Sequence, residues 1–216
     1  MIEATYIAHM GSDLTVANAA RVSFGKKSEM EDDPWGPPKL KAKDDKLIRY
    51  LAKHRHISPF GHCFASFHVK APIFVARQLV KHKFLRWNEI SRRYVDDEPE
   101  FYVPDVWRGR SADKKQGSDG VVDVGDWGDT NWACLKAYND LLEHGVAPEM
   151  ARMVLPQSTM TEWYWSGSLD AFADMCNLRC KPDTQAETRE VARQIDHKMI
   201  ELFPVSWDAL TEDDDD

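Results

Sequence analysis

Apolar positions along the chain recur with two periods, and the switches between them outline the elements. Ile2 to His9 alternates loosely, as a strand does. Ser12 or Asp13 can cap a helix that carries Val16, Ala19 and Ala20 inward. Lys26 to Pro38 is acidic and bears Pro and Gly, the composition of a mobile loop. Asp44 to His54 repeats as a helix, with Leu47, Ile48 and Leu51 on one side. Cys63 to Ala71 alternates strictly: Cys63, Ala65, Phe67 and Val69 face one way, and Ser66, His68 and Lys70 the other. Pro72 can open the next helix, because its missing donor would be unpaired there anyway. That helix places Ile73, Ala76 and Val80 on a core face and Arg77, Gln78, Lys81 and His82 on a polar ridge. After Lys83 the helical pattern fades.

The second half reads the same way. Asp96 to Glu100 is an acidic turn and Phe101 to Val103 a short strand. Trp107 to Gly128 is rich in Gly, Asp and Lys with little periodicity, so 105–130 reads as an irregular insertion, a lid or a surface loop. Asn131 to His144 is a helix with Trp132, Leu135, Tyr138 and Leu142 inward and Gly145 as its stop. Pro148 starts another helix that ends near Pro156. Ser158 to Trp165 is a strand with Trp163 and Trp165 on one face, either core or a platform for a flat ring. Ser168 caps a helix whose stripe is Leu169, Phe172 and Cys176, and Arg179 falls on that stripe. Asp183 to Leu202 is the last long helix, aligned on Val191, Ile195, Met199 and Leu202 and ended by Pro204. The resulting class is α+β, a mostly antiparallel sheet flanked by helices.

Composition adds bounds rather than detail. At 216 residues the chain fits one domain, 1–216, with an acidic tail at 211–216. No apolar run reaches membrane length, and Glu3 and Thr5 interrupt any signal peptide, so a cytoplasmic protein is expected, or one of the host cytoplasm for a viral source. The formal charge of −8 disfavours nucleic acid as a bulk partner. Cys63, Cys134, Cys176 and Cys180 include no CxxC pair and read as free thiols. Cys176 and Cys180 share a helical face, but two thiols alone make a poor zinc site. His54, His56, His62, His68 and His82 lack a completing ligand at a fixed spacing, so no metal is expected.

Against the acidic background, six Lys or Arg lie between Arg77 and Arg93: Arg77, Lys81, Lys83, Arg86, Arg92 and Arg93. Only Glu89 opposes them. Such a cluster implies a bound anion or, more blandly, a solvated helix and charged loop. Asn88 to Tyr94 offers amide, carboxylate, hydroxyl and two guanidiniums, a set suited to a phosphate, a sugar and a base edge together. Arg152 reads as a surface partner for Glu149, and Arg179 either needs an anionic or carbonyl partner or simply favours a helix dipole. Ser58-Pro59 suits a tight turn with or without a ligand.

The segment Lys81-His82-Lys83, seven residues, then Ser91 resembles the Arg-His-Arg…Ser signature of the flavin-dependent thymidylate synthases. The stretches ARVSF (Ala20 to Phe24), HISPFGH (His56 to His62), FHVKAPIFVARQ (Phe67 to Gln78), EFYVP (Glu100 to Pro104), ARMVLP (Ala151 to Pro156) and NLR (Asn177 to Arg179) resemble that family in the same order. The resemblance implies a homotetramer with shared active sites. It implies reductive methylation of dUMP to dTMP, with methylenetetrahydrofolate as carbon donor, FAD as hydride carrier and NADPH as reductant. By it, Arg179 is the catalytic residue, holding the pyrimidine. Gln78, Lys81, Glu89, Ile90, Ser91, Arg92, Arg93 and Arg152 would bind dUMP, and Ser58, Lys81, His82, Lys83, Glu89, Ser168 and Asp174 would bind FAD. The chain departs from the family at several points. Lys81 and Lys83 replace arginines, keeping the charge but losing the two-pronged fork. Gly61 stands where Glu is common, Ser168, Asp170 and Asp174 where Asn, Arg and Asn are usual, and Asp183 where His is usual. These departures keep open a second reading, a catalytically impaired relative that binds nucleotides. A nucleic-acid-binding ridge over Arg77–Arg93 is the third, and the charge argues against it.

Overall fold

The computed structural model describes residues 1–112, 117–125 and 128–211. Its centre is a four-stranded sheet in the order β1-β2-β6-β3, every neighbouring pair antiparallel. The strands are β1 (Glu3–Met10), β2 (Phe64–Pro72), β3 (Leu85–Glu89) and β6 (Met160–Ser168). The α+β architecture expected from the sequence is the one observed.

The sheet has one covered and one open face, as the strict alternation of β2 requires. Ala65, Phe67, Val69, Trp163 and Trp165 are buried beneath the helices α1 (Asp13–Arg21), α2 (Ala42–Lys53), α6 (Leu169–Arg179), α7 (Ala186–Leu202) and α8 (Pro204–Thr211). Ser66, His68 and Lys70 point to the other side, where they meet Ser166, Tyr164 and Glu162 across the strand pair. Ser66 and Ser166 share a hydroxyl bond of 2.8 Å, and Lys70 bridges Glu100 at 2.7 Å. Trp163 and Trp165 are therefore core. Trp163 stacks on Trp87 with centroids 4.3 Å apart, and Trp165 meets Phe172 edge to face.

Several expectations are corrected by tertiary context. Ala17, not Ala19, is the buried partner of Val16 in α1. The helix after Pro72, α3 (Ile73–Leu79), is short and buries Val75, Ala76 and Leu79, while Val80 is 47% exposed. The chain must leave that helix early for a topological reason. β2 and β3 both run antiparallel to β6, so Pro72 pairs with Met160 at one end of β6 and Leu85 with Gly167 at the other. Residues 73–84 have to carry the chain back along the sheet, and β3 itself has no counterpart in the sequence pattern. Phe84 turns the chain into β3 with φ 62°, a backbone cost that a non-glycine residue bears only under tertiary constraint.

Among its described residues, the stretch 105–130 holds regular structure rather than an irregular insertion. It contains a hairpin of β4 (Trp107–Arg110) and β5 (Ser118–Val122) and the first turn of α4 (Gly128–Glu143); residues 113–116 and 126–127 lie outside those described. Tyr138 of α4 is buried as expected, but Trp132 is 64% exposed. Phe101 makes a single bridge to Thr159 rather than a strand. Lys26–Pro38 is anchored: Ser28 donates to Asp44 at 2.5 Å, its N–H bonds Asn18 at 2.6 Å, and Glu31 bridges Lys39. Pro204 not only ends α7 but opens α8, whose first amides at Val205 and Ser206 are capped by Asp13 at 3.0 and 2.9 Å. The acidic tail beyond Thr211 lies outside the described residues.

Candidate functional site

α6 starts at the Ser168 end of β6 and runs back over the sheet, delivering Arg179 to the crossover that follows α3. Arg179 Nε donates to His82 Nε2 at 3.0 Å and Nη2 to the Gln78 carbonyl at 3.3 Å. No carboxylate pairs with Arg179 among the described residues. The guanidinium is half-buried, and that burial lowers its pKa. Burial, with the Arg179 charge second, pushes the His82 pKa down to about 4, so the ring is neutral near pH 7 and Nε2 is free to accept. Gln78 Nε2 in turn donates to Gln185 Oε1 at 2.5 Å. A half-buried cation held only by neutral groups is suited to an anionic or carbonyl ligand.

Lys81 and Lys83 lie exposed on the same crossover, and neither forms an ion pair among the described residues. Glu89 ends β3 opposite Trp163, where its carboxylate accepts from Thr161 Oγ1 at 2.7 Å and from Trp87 Nε1 at 3.0 Å. Ile90 continues the ladder through its N–H to the Glu162 carbonyl at 2.9 Å. Ser91 opens a turn: its carbonyl accepts from Tyr94 and Val95, and its hydroxyl from the Arg93 N–H at 3.3 Å. Arg93 lies over the Tyr94 ring at 4.9 Å. Arg92 donates to the Asp97 carbonyl, while its buried Nε has no partner. Arg152, in a short turn after α5 (Pro148–Ala151), is exposed and touches the Glu149 carbonyl rather than its carboxylate.

The structure brings Gln78, His82 and Arg179 into direct contact and strings Glu89 to Arg93 along the sheet edge and its turn. It does not bring Ser58 or Ser168, two of the expected flavin residues, to Glu89 or Arg179. Ser168 holds the N-cap position of α6 without a capping bond from its hydroxyl, and the Ser58 turn, closed by the Gly61 N–H to the Ser58 carbonyl at 3.2 Å, sits at that same end. Trp163, the partner of Glu89, is five residues from Ser168 along β6, about 17 Å away. Eleven residues of α6 put Arg179 roughly 16 Å from Ser168. Asp174, on the exposed side of α6, has its carboxyl pushed up by burial and by Asp170, with Arg55 opposing. A buried Asp170 oxygen has no partner, and a Cβ on Gly61 would lie 3.9 Å from it.

These two groups differ in what part of a flavin dinucleotide they fit. The lysines at 81 and 83 suit phosphate oxygens. The orphaned Asp170 oxygen and Asp174 suit hydroxyl or N–H donors, such as those of a ribose, and repel phosphate.

The periodicities do not reveal a cleft of about 900 Å³ beside this site, lined by Phe74, Tyr102, Trp107, Arg108, Gln185 and Glu187 among others. Arg108 of the β4–β5 hairpin pairs with Glu187 at the start of α7 at 2.5 Å. Burial, the largest influence, pushes the Glu187 carboxyl up, but the bond and charge of Arg108, its own backbone N–H and Gln185 together hold the pKa below the usual value. Tyr102 donates to the same oxygen at 3.3 Å, and burial followed by that charge raises its pKa to about 12. The other Glu187 oxygen is buried with no partner. The sequence signals here are the stretches EFYVP, which contains Tyr102, and FHVKAPIFVARQ, which contains Phe74; Arg108 and Glu187 meet only through the fold.

A family profile described as thymidylate synthase complementing protein matches residues 5–205. The flavin-dependent thymidylate synthase of Thermus thermophilus is 41% identical over 211 residues, covering 94% of this chain and 73% of that protein. That of Thermosipho africanus is 38% identical over 210 residues, covering 93% and 87%. The crystal structure of a UMP/dUMP methylase, PolB from Streptomyces cacaoi, bound with 5-Br dUMP, matches with a TM-score of 0.84 at 33% identity, covering 98% of this chain and 95% of that one. With a profile match across most of its length and such relatives on either side of it, the chain belongs to the family of flavin-dependent thymidylate synthases.

Proposed function

We propose that the protein methylates dUMP to dTMP. The balanced reaction is dUMP + methylenetetrahydrofolate + NADPH + H⁺ giving dTMP + tetrahydrofolate + NADP⁺. FAD, when bound, supplies the hydride transfer between reductant and substrate. The observation that carries the reading is Arg179, a half-buried guanidinium with no carboxylate partner among the described residues, fixed by a neutral imidazole and a backbone carbonyl.

Arg179 has Nε and Nη2 engaged, and its remaining amino group is suited to a pyrimidine carbonyl. A cation there favours negative charge on the ring, which makes the adjacent carbon more nucleophilic without an enzyme nucleophile. His82 orients the guanidinium, and Gln78 positions it through its carbonyl. Ser91, Arg92 and Arg93 form a turn with hydroxyl and guanidinium donors suited to a phosphate, and Arg152 is the further clamp. Glu89, already taking two hydrogen bonds, suits a ribose or ring N–H through its remaining lone pairs. Ser91 is a ligand here and not a nucleophile, because no base lies beside it among the described residues.

The active unit is a homotetramer with shared sites. The separation of Ser58 and Ser168 from Glu89 and Arg179 within one chain supports this. So do the exposed apolar side chains in the family-like stretches: Val22 and Phe24, Phe84, Ile90, Tyr94, Val103 and Met153. Apolar surface of this kind is what a partner subunit would cover if these side chains lie together in the assembly.

The test is dTMP formation with NADPH, FAD and methylenetetrahydrofolate, each omitted in turn. Product that requires all three supports the reading. Binding of dUMP with no tritium release from labelled dUMP under any combination would instead favour the catalytically impaired relative, which the Lys81 and Lys83 replacements motivate.

A further inference from the structure

Cys176 and Cys180 stand one turn apart at the end of α6, and Asp196 faces them from α7. The two Sγ atoms and a carboxylate oxygen all lie within 4.8 Å of one another. The sequence offers two thiols without a third donor; the packing of α6 on α7 provides it. Asp196 Oδ1 accepts the indole N–H of Trp207, on α8, at 2.8 Å. A ligating carboxylate is commonly oriented by such an outer hydrogen bond. Cys176 is buried and Cys180 half-buried, so the cluster is enclosed on one side and reachable from the other.

The spacing argues against a disulfide. Cys180 still has helical φ and ψ of −80° and −10°, so the pair is an ordinary i,i+4 couple. Such neighbours hold their Cβ atoms about 5–6 Å apart, whereas a disulfide needs roughly 3.5–4.5 Å. The same spacing suits chelation, as with paired ligands one turn apart on other metal-binding helices. Tetrahedral zinc with Zn–S near 2.3 Å sets its sulfurs about 3.8 Å apart, which fits within the observed cluster. Two thiolates, a carboxylate and a divalent ion leave one net negative charge. Arg189 and Arg193 lie near enough to Cys180 to offset it.

We infer that Cys176, Cys180 and Asp196 form a binding site for a thiophilic divalent cation of the zinc class, with the fourth position left to water. The ion ties α6 to α7, and through Asp196 and Trp207 to α8, at the residue next to Arg179. Its role is to hold that turn, apart from the methylation chemistry.

The test uses the full chain, reduced and stripped with chelator, then titrated with Co²⁺ as the spectroscopic stand-in for Zn²⁺. A thiolate-to-cobalt charge-transfer band saturating at a single equivalent per chain, and abolished by added Zn²⁺, is expected. Cys180→Ser should lose the band, Cys134→Ser should keep it, and Asp196→Asn should bind roughly tenfold or more weakly. Zn²⁺ should raise the melting temperature of the wild type but not of Cys180→Ser. Absence of the band, or its survival in Cys180→Ser, overturns the site. Unchanged affinity in Asp196→Asn removes the carboxylate and overturns it as drawn. None of these readouts depends on dTMP formation, so their failure leaves the uridylate site standing.

Discussion

At the scale of single residues, the account rests on a pair that each partner alone would not explain. Arg179 is held at 3.0 Å by a histidine that must be neutral to accept its proton. Folding lowers the His82 pKa from 6.5 to about 4, through burial first and the Arg179 charge second. Between these values the unfolded chain binds more protons than the folded one, so this contribution is complete above about pH 6.5 and is lost as pH falls towards 4. The melting temperature of the wild type should therefore fall from pH 6.5 to 4.5, and His82→Gln should fall less over the same interval. An identical slope in both would place the acid sensitivity elsewhere. The lysines make a second prediction at this scale. Lys81→Arg with Lys83→Arg restores the planar fork and should tighten FAD several-fold in a fluorescence titration, whereas unchanged affinity would separate these residues from the phosphates. Sequence pattern identifies Arg179 because it falls on the apolar stripe with Phe172 and Cys176. It cannot identify Arg108 with Glu187, because residues 79 apart in sequence carry no periodic relation.

At the scale of elements, register places the site. β3 is invisible as a strand in the sequence because Leu85–Glu89 is short, charged and at the sheet edge, where propensity is weak. Its pairing with β6 nevertheless determines where Glu89 and Ser91 stand. Gly167 is the position that permits it: a Cβ there would overlap Leu85 Cδ2 and approach the Phe84 carbonyl to 3.0 Å. Gly167→Ala should loosen β3, lowering the melting temperature and weakening dUMP binding together; a loss of stability alone would detach β3 from the site. The cap on α8 is another long-range feature, since Asp13 in α1 holds the amides of Val205 and Ser206. Asp13→Ala should cost about 1–2 kcal/mol, read as a drop of roughly 3–6 °C. Helices with strong periodicity, α2, α6 and α7, are legible from the sequence; α8 is not, because Pro204 reads equally as a stop and as a start.

At the scale of the whole molecule, the fold brings Gln78, His82 and Arg179 together and holds Ser168 roughly 16 Å from Arg179 along α6, a separation on which the proposed assembly rests. Trp132 belongs to the same picture. Helical periodicity directs it inward, yet α4 leaves it 64% exposed, and the proposed assembly covers it. Trp132→Ala should shift the protein towards smaller species in sedimentation while leaving the circular dichroism of the chain unchanged; an unaltered mass would free Trp132 from the interface. The half of the site that the sequence makes legible is the contiguous half, Lys81 to Arg93, where chemistry is concentrated in one stretch. The remainder depends on a crossover whose length is set by strand order and on surfaces assigned to the proposed assembly.

Whether the Arg179 guanidinium, where α6 meets α3, binds uridylate as proposed is decided by calorimetric titration of dUMP into wild type and Arg179→Ala. The account predicts that the variant keeps its fold and loses both the dUMP heat signal and turnover, by roughly a hundredfold or more. A variant that binds dUMP and makes dTMP as the wild type does would contradict it.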